Sequence, residues 1–182
     1  FVGVVERDDW QNESWREQGS REEALADFAG WHPTITRLIA QSSTLYRWSL
    51  FDRKPNPHWV EGRVALMGDA AHPMLPFMAQ GAAMAIEDAW ALAASVSSQA
   101  PVTDALSAYQ NLRYDRASKM QAASRANAKT FHQRTGLGRL KTYGPMWLAG
   151  HVAPQIGLMK QDWVYSYDIT AHAPISPDVL AS

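Results

Sequence analysis

Cysteine is absent from the 182-residue chain, which excludes disulfide bonds and thiolate chemistry. The six histidines show no His-x-x-x-His or other ligand spacing, so the sequence argues against a metal site. No apolar run reaches the roughly 18 residues that a membrane-spanning helix needs, and no signal peptide is recognisable. We therefore expect a cytoplasmic protein without a membrane partner.

A strong net charge is absent as well, since the formal value is −1. A net charge this small gives no bulk electrostatic reason to expect nucleic acid as a partner. Basic residues do concentrate between Arg113 and Arg134. A solvated helix face explains them better than a polyanion site, which stays open as the alternative. The 46% of hydrophobic and 19% of charged residues are typical of a globular protein with its own core.

Two short stretches of the first 55 residues carry strand patterns. Residues 1–5 form an apolar run, and residues 44–51 alternate polar and apolar side chains, so each predicts a strand. The sequence Lys54-Pro55-Asn56-Pro57 then breaks the second pattern. This proline pair is the best candidate for a crossing between two domains.

Between these strands the sequence predicts a loop and two helices. The loop covers residues 8–20, which are mostly polar. Ser20 is a favourable N-cap for a helix that starts near Arg21. Pro33 suits the first turn of a second, short helix that ends near residue 40.

The central region predicts one strand and two longer helices. Residues 63–67 are apolar on both faces, as in a buried parallel strand. The helix over 81–97 is apolar nearly all round and should be covered on most sides. A long helix follows over 103–132, with Thr103 as its cap. After it, glycine and proline limit helices to short pieces, and Gly136-Leu137-Gly138 is interpreted as a loop.

Residues 62–89 are the most informative stretch, because a short strand, a Gly-Asp turn, a proline-rich loop and an apolar helix follow one another. Asp69 comes just past the strand, where open α/β sheets bind ligands, and its carboxylate can accept hydrogen bonds from hydroxyls. The N–H groups of Gly81, Ala82 and Ala83 lack partners inside the helix and favour negative charge. Taken alone, Asp69 is more typical of a turn or helix cap. The whole stretch favours a ligand with hydroxyls at one end and an electron-poor, partly anionic ring at the other.

This stretch resembles the second flavin-contacting motif of the FAD-dependent aromatic-ring monooxygenases. The run that carries the resemblance is Gly62-Arg63-Val64-Ala65-Leu66-Met67-Gly68-Asp69-Ala70-Ala71-His72-Pro73, followed by Met78 to Ala89. The likeness is greatest to the branch that contains 6-hydroxynicotinate 3-monooxygenase, 3-hydroxybenzoate 6-hydroxylase and salicylate hydroxylase. It extends to three flanking segments, namely Trp48 to Arg53, Tyr109 to Arg113 with Arg116, and Asp162 to Asp168.

The resemblance implies an α/β fold, or α+β for the part present here: the helix-rich C-terminal part of the FAD/NAD(P)-binding fold of flavoprotein hydroxylases. That fold opens with a βαβ unit carrying Gly-x-Gly-x-x-Gly, a pattern that the 11 glycines of this chain do not form. We therefore expect a portion of a larger enzyme, with a complete small protein as the alternative. Residues 1–55 would end the substrate-binding domain, 56–134 would return to the FAD-binding domain, and 135–182 would form a C-terminal helical or irregular segment.

The resemblance also implies roles for individual residues. Pro76 should lie along the flavin edge near the reacting carbon, and Phe77, Met78 and Gln80 should lie near the ring and the substrate. Relatives that act on hydroxynicotinate carry a histidine where this chain has Phe77, so a more apolar aromatic ring is favoured. The expected FAD contacts are Asp69, Pro76, Gly81, Ala82 and Ala83. His72 is interpreted as a structural hydrogen-bonding residue, with a catalytic role as the weaker alternative.

Two acids interrupt the apolar helix over 81–97. Because a buried charge is costly unless it is paired, Glu87 and Asp88 need cationic partners. We expect these partners on the following helix, at Arg113 or Arg116. Direct contact with a ligand is the weaker interpretation, since both acids lie two turns past Gly81.

The family resemblance implies a hydroxylase that uses FAD, O2 and NADH or NADPH to hydroxylate an activated aromatic ring of the hydroxybenzoate or hydroxypyridine type. Its expected partners are the aromatic substrate, the missing N-terminal portion of the same enzyme and, in a possible homodimer, a second copy. The part present here is expected to be inactive alone. Two alternatives remain: a flavin hydroxylase for polyketides, quinone precursors or tetracyclines, and a non-enzymatic helical interaction module.

Overall fold

The structure is a computed structural model that describes residues 1–6, 14, 16–50, 52–133, 135–155 and 159–175. The chain divides into two compact units, Phe1–Leu50 and Phe51–Ser182. Much of the loop predicted over residues 8–20 lies outside the described residues.

The first unit contains two short helices, α1 (Arg21–Asp27) and α2 (Pro33–Gln41). The side chain of Ser20 accepts a hydrogen bond from the N–H of Glu23 (3.3 Å), which satisfies one N–H of the first turn. Pro33 occupies the start of α2, where its missing N–H costs nothing. Both predicted helices are confirmed.

The strands predicted in the first unit are wrong for the residues described. Residues 1–6 form no strand. Residues 44–50 contribute only one isolated antiparallel bridge, between Gln18 and Tyr46, and residue 51 lies outside the described residues. An alternating sequence becomes a strand only when a neighbouring strand satisfies its backbone groups. Among the described residues of this unit, no such neighbour extends beyond the single bridge.

The second unit begins with a two-residue hairpin, β1 (Val60–Glu61) against β2 (Val64–Ala65). The turn between them contains Gly62 at a positive φ of 57°, a conformation that favours glycine. The predicted buried parallel strand over 63–67 is therefore wrong: its paired part is short and antiparallel, and Val64 is 66% exposed. The described residues contain no third strand that could cover and pair with it.

Two helices form the centre of the second unit, α3 (Gly81–Ser97) and α4 (Val102–Phe131). The bounds predicted for α3 are confirmed, and those for α4 are confirmed to within one residue. The predicted cap at Thr103 is wrong, because the carbonyl of Pro101 already accepts from the N–H groups of Asp104 and Ala105 and places the N-cap two residues earlier. The shared core contains small and aromatic side chains: Trp59, Ala71, Ala91, Tyr109 and Ala117.

A 17-residue helix, α5 (Gly136–Val152), follows. The predicted loop at Gly136-Leu137-Gly138 and the predicted limit to short helical pieces are both wrong. Thr135 caps the helix by accepting from the N–H of Gly138 (3.0 Å). The strong helix formers Arg139 to Lys141 then support its continuation. None of its residues is buried among the described part of the chain.

Two single-turn helices, α6 (Asp162–Tyr165) and α7 (Ile169–His172), end the described part. The indole N–H of Trp90 in α3 donates to the carbonyl of Ala173 (2.8 Å), and Ile169 joins the core. This segment therefore packs on the α3–α4 pair. Across the described ranges, no helix is long and apolar enough to cross a membrane.

Candidate functional site

The Gly68-Asp69 turn brings a carboxylate to the start of α3. Gly68 has a φ of +57°, and a Cβ atom there would lie 3.3 Å from Cβ of Ala85, so conformation and packing both favour glycine. Asp69 is exposed in a 3₁₀ turn over Gly68–Ala70. A Cβ atom on Gly81 would lie 3.9 Å from Oδ1 of Asp69. The predicted carboxylate and helix start are therefore neighbours at the surface.

The N-terminus of α3 carries no side-chain cap. Gln80 occupies the cap position without making a capping hydrogen bond. The backbone hydrogen bonds of the helix start at the N–H of Met84, which donates to the carbonyl of Gln80 (2.9 Å). The N–H groups of Gly81, Ala82 and Ala83 thus form the open positive end of a 17-residue helix dipole, next to Asp69.

The loop between this turn and α3 contains a second 3₁₀ turn over Pro76–Met78, and it ends at Ala79 in the left-handed region (φ 52°). Pro76 is exposed, while Phe77, Met78 and Gln80 are half-buried. The ring of Phe77 packs against those of Phe131 and His132, with centroids 6.1 and 5.4 Å apart. The loop therefore presents Pro76 outward and is attached to the end of α4 through Phe77.

A buried carboxylate lies directly behind the Gly68-Asp69 turn. Oδ2 of Asp88 accepts from the backbone N–H of Gly68 (2.9 Å) and lies 2.5 Å from Nε2 of His72, while Oδ1 accepts from Nε of Arg113 (2.8 Å). Burial raises the pKa of Asp88, but the hydrogen bonds from His72, Arg113 and Gly68 outweigh it, so the pKa lies below its ordinary value. Asp88 is therefore held as an anion that fixes the turn from inside.

His72 belongs to this buried cluster. Its side chain is inaccessible to solvent, with the ring 5.3 Å from that of Trp59. Nε2 faces Asp88, and Nδ1 is buried without a hydrogen-bond partner among the described residues. This placement favours the structural role over the catalytic one, since no ring atom of His72 reaches the surface.

The predicted pairing of the two acids of α3 with α4 is confirmed for both arginines. Glu87 accepts two hydrogen bonds from Arg116, both 2.7 Å, and its Oε2 lies 2.6 Å from Nη1 of Arg113. Arg113 is itself fully buried against Asp88. The two helices are joined by a chain of alternating charges in which each acid contacts at least one arginine.

Sequence reasoning missed several polar anchors that α4 provides. Tyr109 donates from its hydroxyl to the carbonyl of Leu66 (3.1 Å), just before the Gly68-Asp69 turn. Farther along α4, three side chains with a spacing of three residues donate to carbonyls of the proline-rich loop, and these are Gln121, Ser124 and Asn127. That spacing is visible in the sequence, but polar residues at helical spacing usually indicate a solvated face.

The chemistry of the site suits an uncharged polyol and an electron-poor ring rather than a metal ion. Among the described residues, no group of three or more His, Cys, Asp or Glu side chains could hold a metal. The exposed carboxylate of Asp69 offers acceptors for hydroxyl groups, and the helix N-terminus offers donors for a partly negative ring edge. Both features are at the surface and lie next to each other.

Comparisons with known proteins agree with this chemistry. The sequence profile of a family described as FAD binding domain matches residues 2–124. The chain is 38% identical to 6-hydroxynicotinate 3-monooxygenase of Bordetella bronchiseptica over 173 residues, which is 93% of this chain and 38% of that protein. It is 36% identical to 3-amino-4-hydroxybenzoate 2-monooxygenase PtnB3 of Streptomyces platensis, over 86% of this chain and 42% of that protein.

Solved structures give the same result. A salicylate hydroxylase in a substrate complex superposes with a TM-score of 0.72 at 31% identity, covering 93% of this chain and 40% of that one. Klebsiella pneumoniae HpxO, complexed with FAD and uric acid, superposes with a TM-score of 0.62 at 31% identity, covering 69% of this chain and 33% of that one. The chain thus spans about two fifths of the length of its curated relatives.

Proposed function

Because the chain belongs to the FAD-binding domain family, we propose that it supplies the ribityl and ring-edge side of the flavin site in an aromatic-ring monooxygenase. The observation that carries the proposal is the adjacency of the Asp69 carboxylate to the uncapped start of α3. When bound, FAD supplies the redox chemistry between NAD(P)H and O2. The residues of this chain bind it, orient it and fix the charge around it.

Each part of the site has a distinct task in this proposal. Asp69 accepts hydrogen bonds from ribityl hydroxyls, and the N–H groups of Gly81, Ala82 and Ala83 face the N1–C2=O edge of the ring. The dipole of α3 stabilises negative charge there by about 0.3–1 kcal/mol, and up to ~2 kcal/mol when that edge is partly buried. Pro76 lies along the ring edge, with Phe77, Met78 and Gln80 towards the substrate.

The proposed substrate is an activated aromatic ring of the hydroxybenzoate or hydroxypyridine type, because the relatives named above act on such rings. Phe77 favours the less polar members of this class, since an apolar ring offers no hydrogen bond to a ring nitrogen. The reaction takes one oxygen atom of O2 into the ring and reduces the other to water with two electrons from NADH or NADPH. His72 is not the proposed base in this scheme, because its ring is buried and does not reach the surface.

The proposed enzyme also has a domain organisation that divides this chain into three parts. We assign residues 1–55 to the end of a substrate-binding domain, 56–134 to the return of an FAD-binding domain and 135–182 to a C-terminal helical segment. The N-terminal portion of the same enzyme would complete the cofactor site, in the cytoplasm and with a possible homodimer as the assembly. The chain by itself would then be inactive.

The test uses the intact protein. It is purified, its absorbance near 450 nm is recorded, and NADH or NADPH oxidation is followed with a panel of 6-hydroxynicotinate, 3-hydroxybenzoate, salicylate and 3-amino-4-hydroxybenzoate. We expect bound FAD and substrate-stimulated NAD(P)H oxidation with a hydroxylated product. A colourless intact protein that takes up no FAD would instead support the non-enzymatic interaction module. Bound FAD without turnover of the panel would point to a hydroxylase for a larger polycyclic substrate.

A further inference from the structure

One face of α4 carries an unusual set of polar side chains close to the loop between the Gly68-Asp69 turn and α3. Gln121, Ser124 and Asn127 are three residues apart, so they follow one another along a single face of the helix. Gln121 and Ser124 are buried. Since burying a polar group is costly unless it is hydrogen-bonded, their partners determine what this face does.

Each of these three side chains donates to one carbonyl of the loop, and the three accepting carbonyls belong to alternate residues. Nε2 of Gln121 donates to the carbonyl of Pro73 (2.8 Å), and Oγ of Ser124 donates to the carbonyl of Leu75. Nδ2 of Asn127 donates to the carbonyl of Phe77 (3.1 Å) and also lies 2.9 Å from the sulfur of Met78. Three helical positions with a spacing of three residues therefore contact three alternate residues of the loop.

The hydrogen bond from Ser124 to the loop differs from the one that a serine within a helix ordinarily makes. Ser107 of the same helix donates to the carbonyl of Thr103, one turn back (2.9 Å), and Thr130 donates to that of Ala126 (3.1 Å). The hydroxyl of Ser124 donates to the loop instead. The polar stripe of α4, defined as Gln121, Ser124 and Asn127, is thus directed at the loop rather than at its own backbone.

Few hydrogen bonds within the described loop fix the path of its backbone. Pro73 and Pro76 have no N–H to donate, and the backbone bond that the described loop makes within itself joins the N–H of Ala79 to the carbonyl of Pro76 (3.0 Å). The orientation of the peptides on either side of Pro76 therefore depends on the donors from α4. The Asp69 turn is held separately, by Asp88.

We propose that Gln121, Ser124 and Asn127 are positioning residues, which hold the Pro73–Met78 loop along the reacting edge of the bound flavin and thereby keep hydroxylation coupled to NAD(P)H consumption. This inference rests on the proposed function. In the coupled reaction, NAD(P)H, a proton, O2 and the aromatic C–H give NAD(P)+, water and the phenol. In the uncoupled one, NAD(P)H, a proton and O2 give NAD(P)+ and hydrogen peroxide, and the ring stays unchanged.

The experiment uses the intact, FAD-loaded protein and the aromatic compound that the panel identifies. Ser124→Ala and Asn127→Leu, singly and combined, remove two of the loop bonds. Ser118→Ala is the matched control, because it deletes a hydroxyl of the same helix that has no hydrogen-bond partner among the described residues. For each protein, hydrogen peroxide and hydroxylated product are measured per NAD(P)H consumed, together with kcat, KM and the dissociation constant of FAD.

We expect the double variant to raise hydrogen peroxide per NAD(P)H by about threefold or more, the scale expected for losing one or two hydrogen bonds. Its affinity for FAD should stay within about twofold of the parent protein and of Ser118→Ala, because Asp69 and Gly81 keep their supports. Unchanged coupling in the double variant would overturn the proposal. So would a loss of FAD affinity that parallels the loss of coupling, since the stripe would then serve binding alone.

A second variant tests the proposal even if the double variant does not fold. Asn127→Asp keeps the shape of the side chain but loses the donor when ionised and regains an O–H donor when protonated. Coupling should therefore improve as the pH falls, relative to the parent protein measured in parallel. A pH profile identical to that of the parent overturns the proposal. If the parent protein binds no FAD or hydroxylates nothing, the proposed function fails instead, and the two failures are distinct.

Discussion

Asp69 is exposed to solvent, and the residues around it place its carboxylate where it can contact a ligand. Its carboxylate lies beside the uncapped start of α3, and its own backbone is fixed by Gly68, whose N–H is held by Asp88. An exposed acid contributes little to folding, so its replacement separates ligand binding from stability. The residue is thus the sharpest single probe of the site.

The first prediction concerns Asp69→Ala in the intact protein. Loss of charge-assisted hydrogen bonds worth about 1.5–3 kcal/mol should weaken FAD binding by roughly tenfold to a hundredfold. The dissociation constant is measured by flavin fluorescence on reconstitution of the apoprotein. Glu61→Ala is the control, because Glu61 is an exposed acid on the adjacent hairpin. Retention of FAD and turnover in Asp69→Ala at the control level would remove the basis of the assignment.

Asp88 and Glu87 are adjacent acids that both contact Arg113, yet their surroundings differ. Asp88 is fully buried and has three donors, whereas the Glu87 side chain is 14% exposed. Asp88→Asn leaves the buried Arg113 with one carboxylate and should lower the free energy of unfolding by about 3–5 kcal/mol. Glu87→Gln should cost less, because water reaches that position. Urea unfolding of both variants measures the difference, and equal losses would contradict the role given to Asp88.

The pH dependence of stability follows from the same residue. The pKa of Asp88 is lower in the folded protein than its ordinary value of 3.8, so the carboxylate stabilises the fold at every pH above that value. This stabilisation is lost as the pH falls through the folded pKa. The unfolding free energy of the parent should therefore decline below about pH 4 more steeply than that of Asp88→Asn. Parallel curves for the two proteins would contradict the prediction.

At the scale of elements, α3 and α4 were predictable from sequence and the strands were not. The N-cap at Ser20 is a local signal, since its side chain accepts from the N–H of Glu23. The bounds of α3, which has no side-chain cap, follow from its long apolar run. The strand over 63–67 depends on neighbours that the described residues do not contain, so only Val64–Ala65 pairs. The same limit applies to the site. A Gly-Asp turn before a helix can be recognised in the sequence. The hydrogen bond from Ser124 to Leu75 spans 49 residues, so no local sequence pattern predicts it.

Arg116 of α4 makes three contacts with the C-terminal segment, which also packs against the hydrophobic core. Arg116 donates to the carbonyls of Trp163 (2.9 Å) and Val164 (3.2 Å), and its guanidinium lies 3.7 Å from the ring centroid of Tyr167. Because the same arginine forms the bidentate pair with Glu87, the segment is linked to α3. Loss of the Arg116 contacts should therefore loosen this segment, while its core packing remains.

Arg116→Met keeps the aliphatic length but removes these bonds. We expect residues 162–173 to exchange amide hydrogen at least about tenfold faster, which corresponds to roughly 1.4 kcal/mol of lost local stability. Hydrogen–deuterium exchange with mass spectrometry measures the rate for each peptide. Arg125→Met serves as the control, because Arg125 pairs with Asp52 and not with the segment. Equal protection in both variants would show that other contacts hold the segment.

At the scale of the whole molecule, the described residues include many large apolar side chains that are exposed. Ile86 on α3 is 71% exposed, and nearly every large apolar side chain of α5 faces solvent. Contiguous apolar surface of this kind marks a face that meets another protein element. The exposed side of α3 is continuous with the site, since Ala82 and Ile86 lie one turn apart and both face outward.

The isolated 182-residue chain should accordingly hold FAD weakly. The residues proposed for the ribityl and ring-edge contacts lie in this chain, but its glycines do not form the pattern that binds the pyrophosphate. Each charge-assisted bond to the pyrophosphate that is missing costs about 1.5–3 kcal/mol, so we expect a dissociation constant at least about tenfold above that of the intact protein. Equilibrium titration of both proteins with FAD tests this, with Asp69→Ala as a control for non-specific flavin uptake. Tight, stoichiometric binding by the chain alone would mean that its exposed apolar faces need no further element to form the cofactor site.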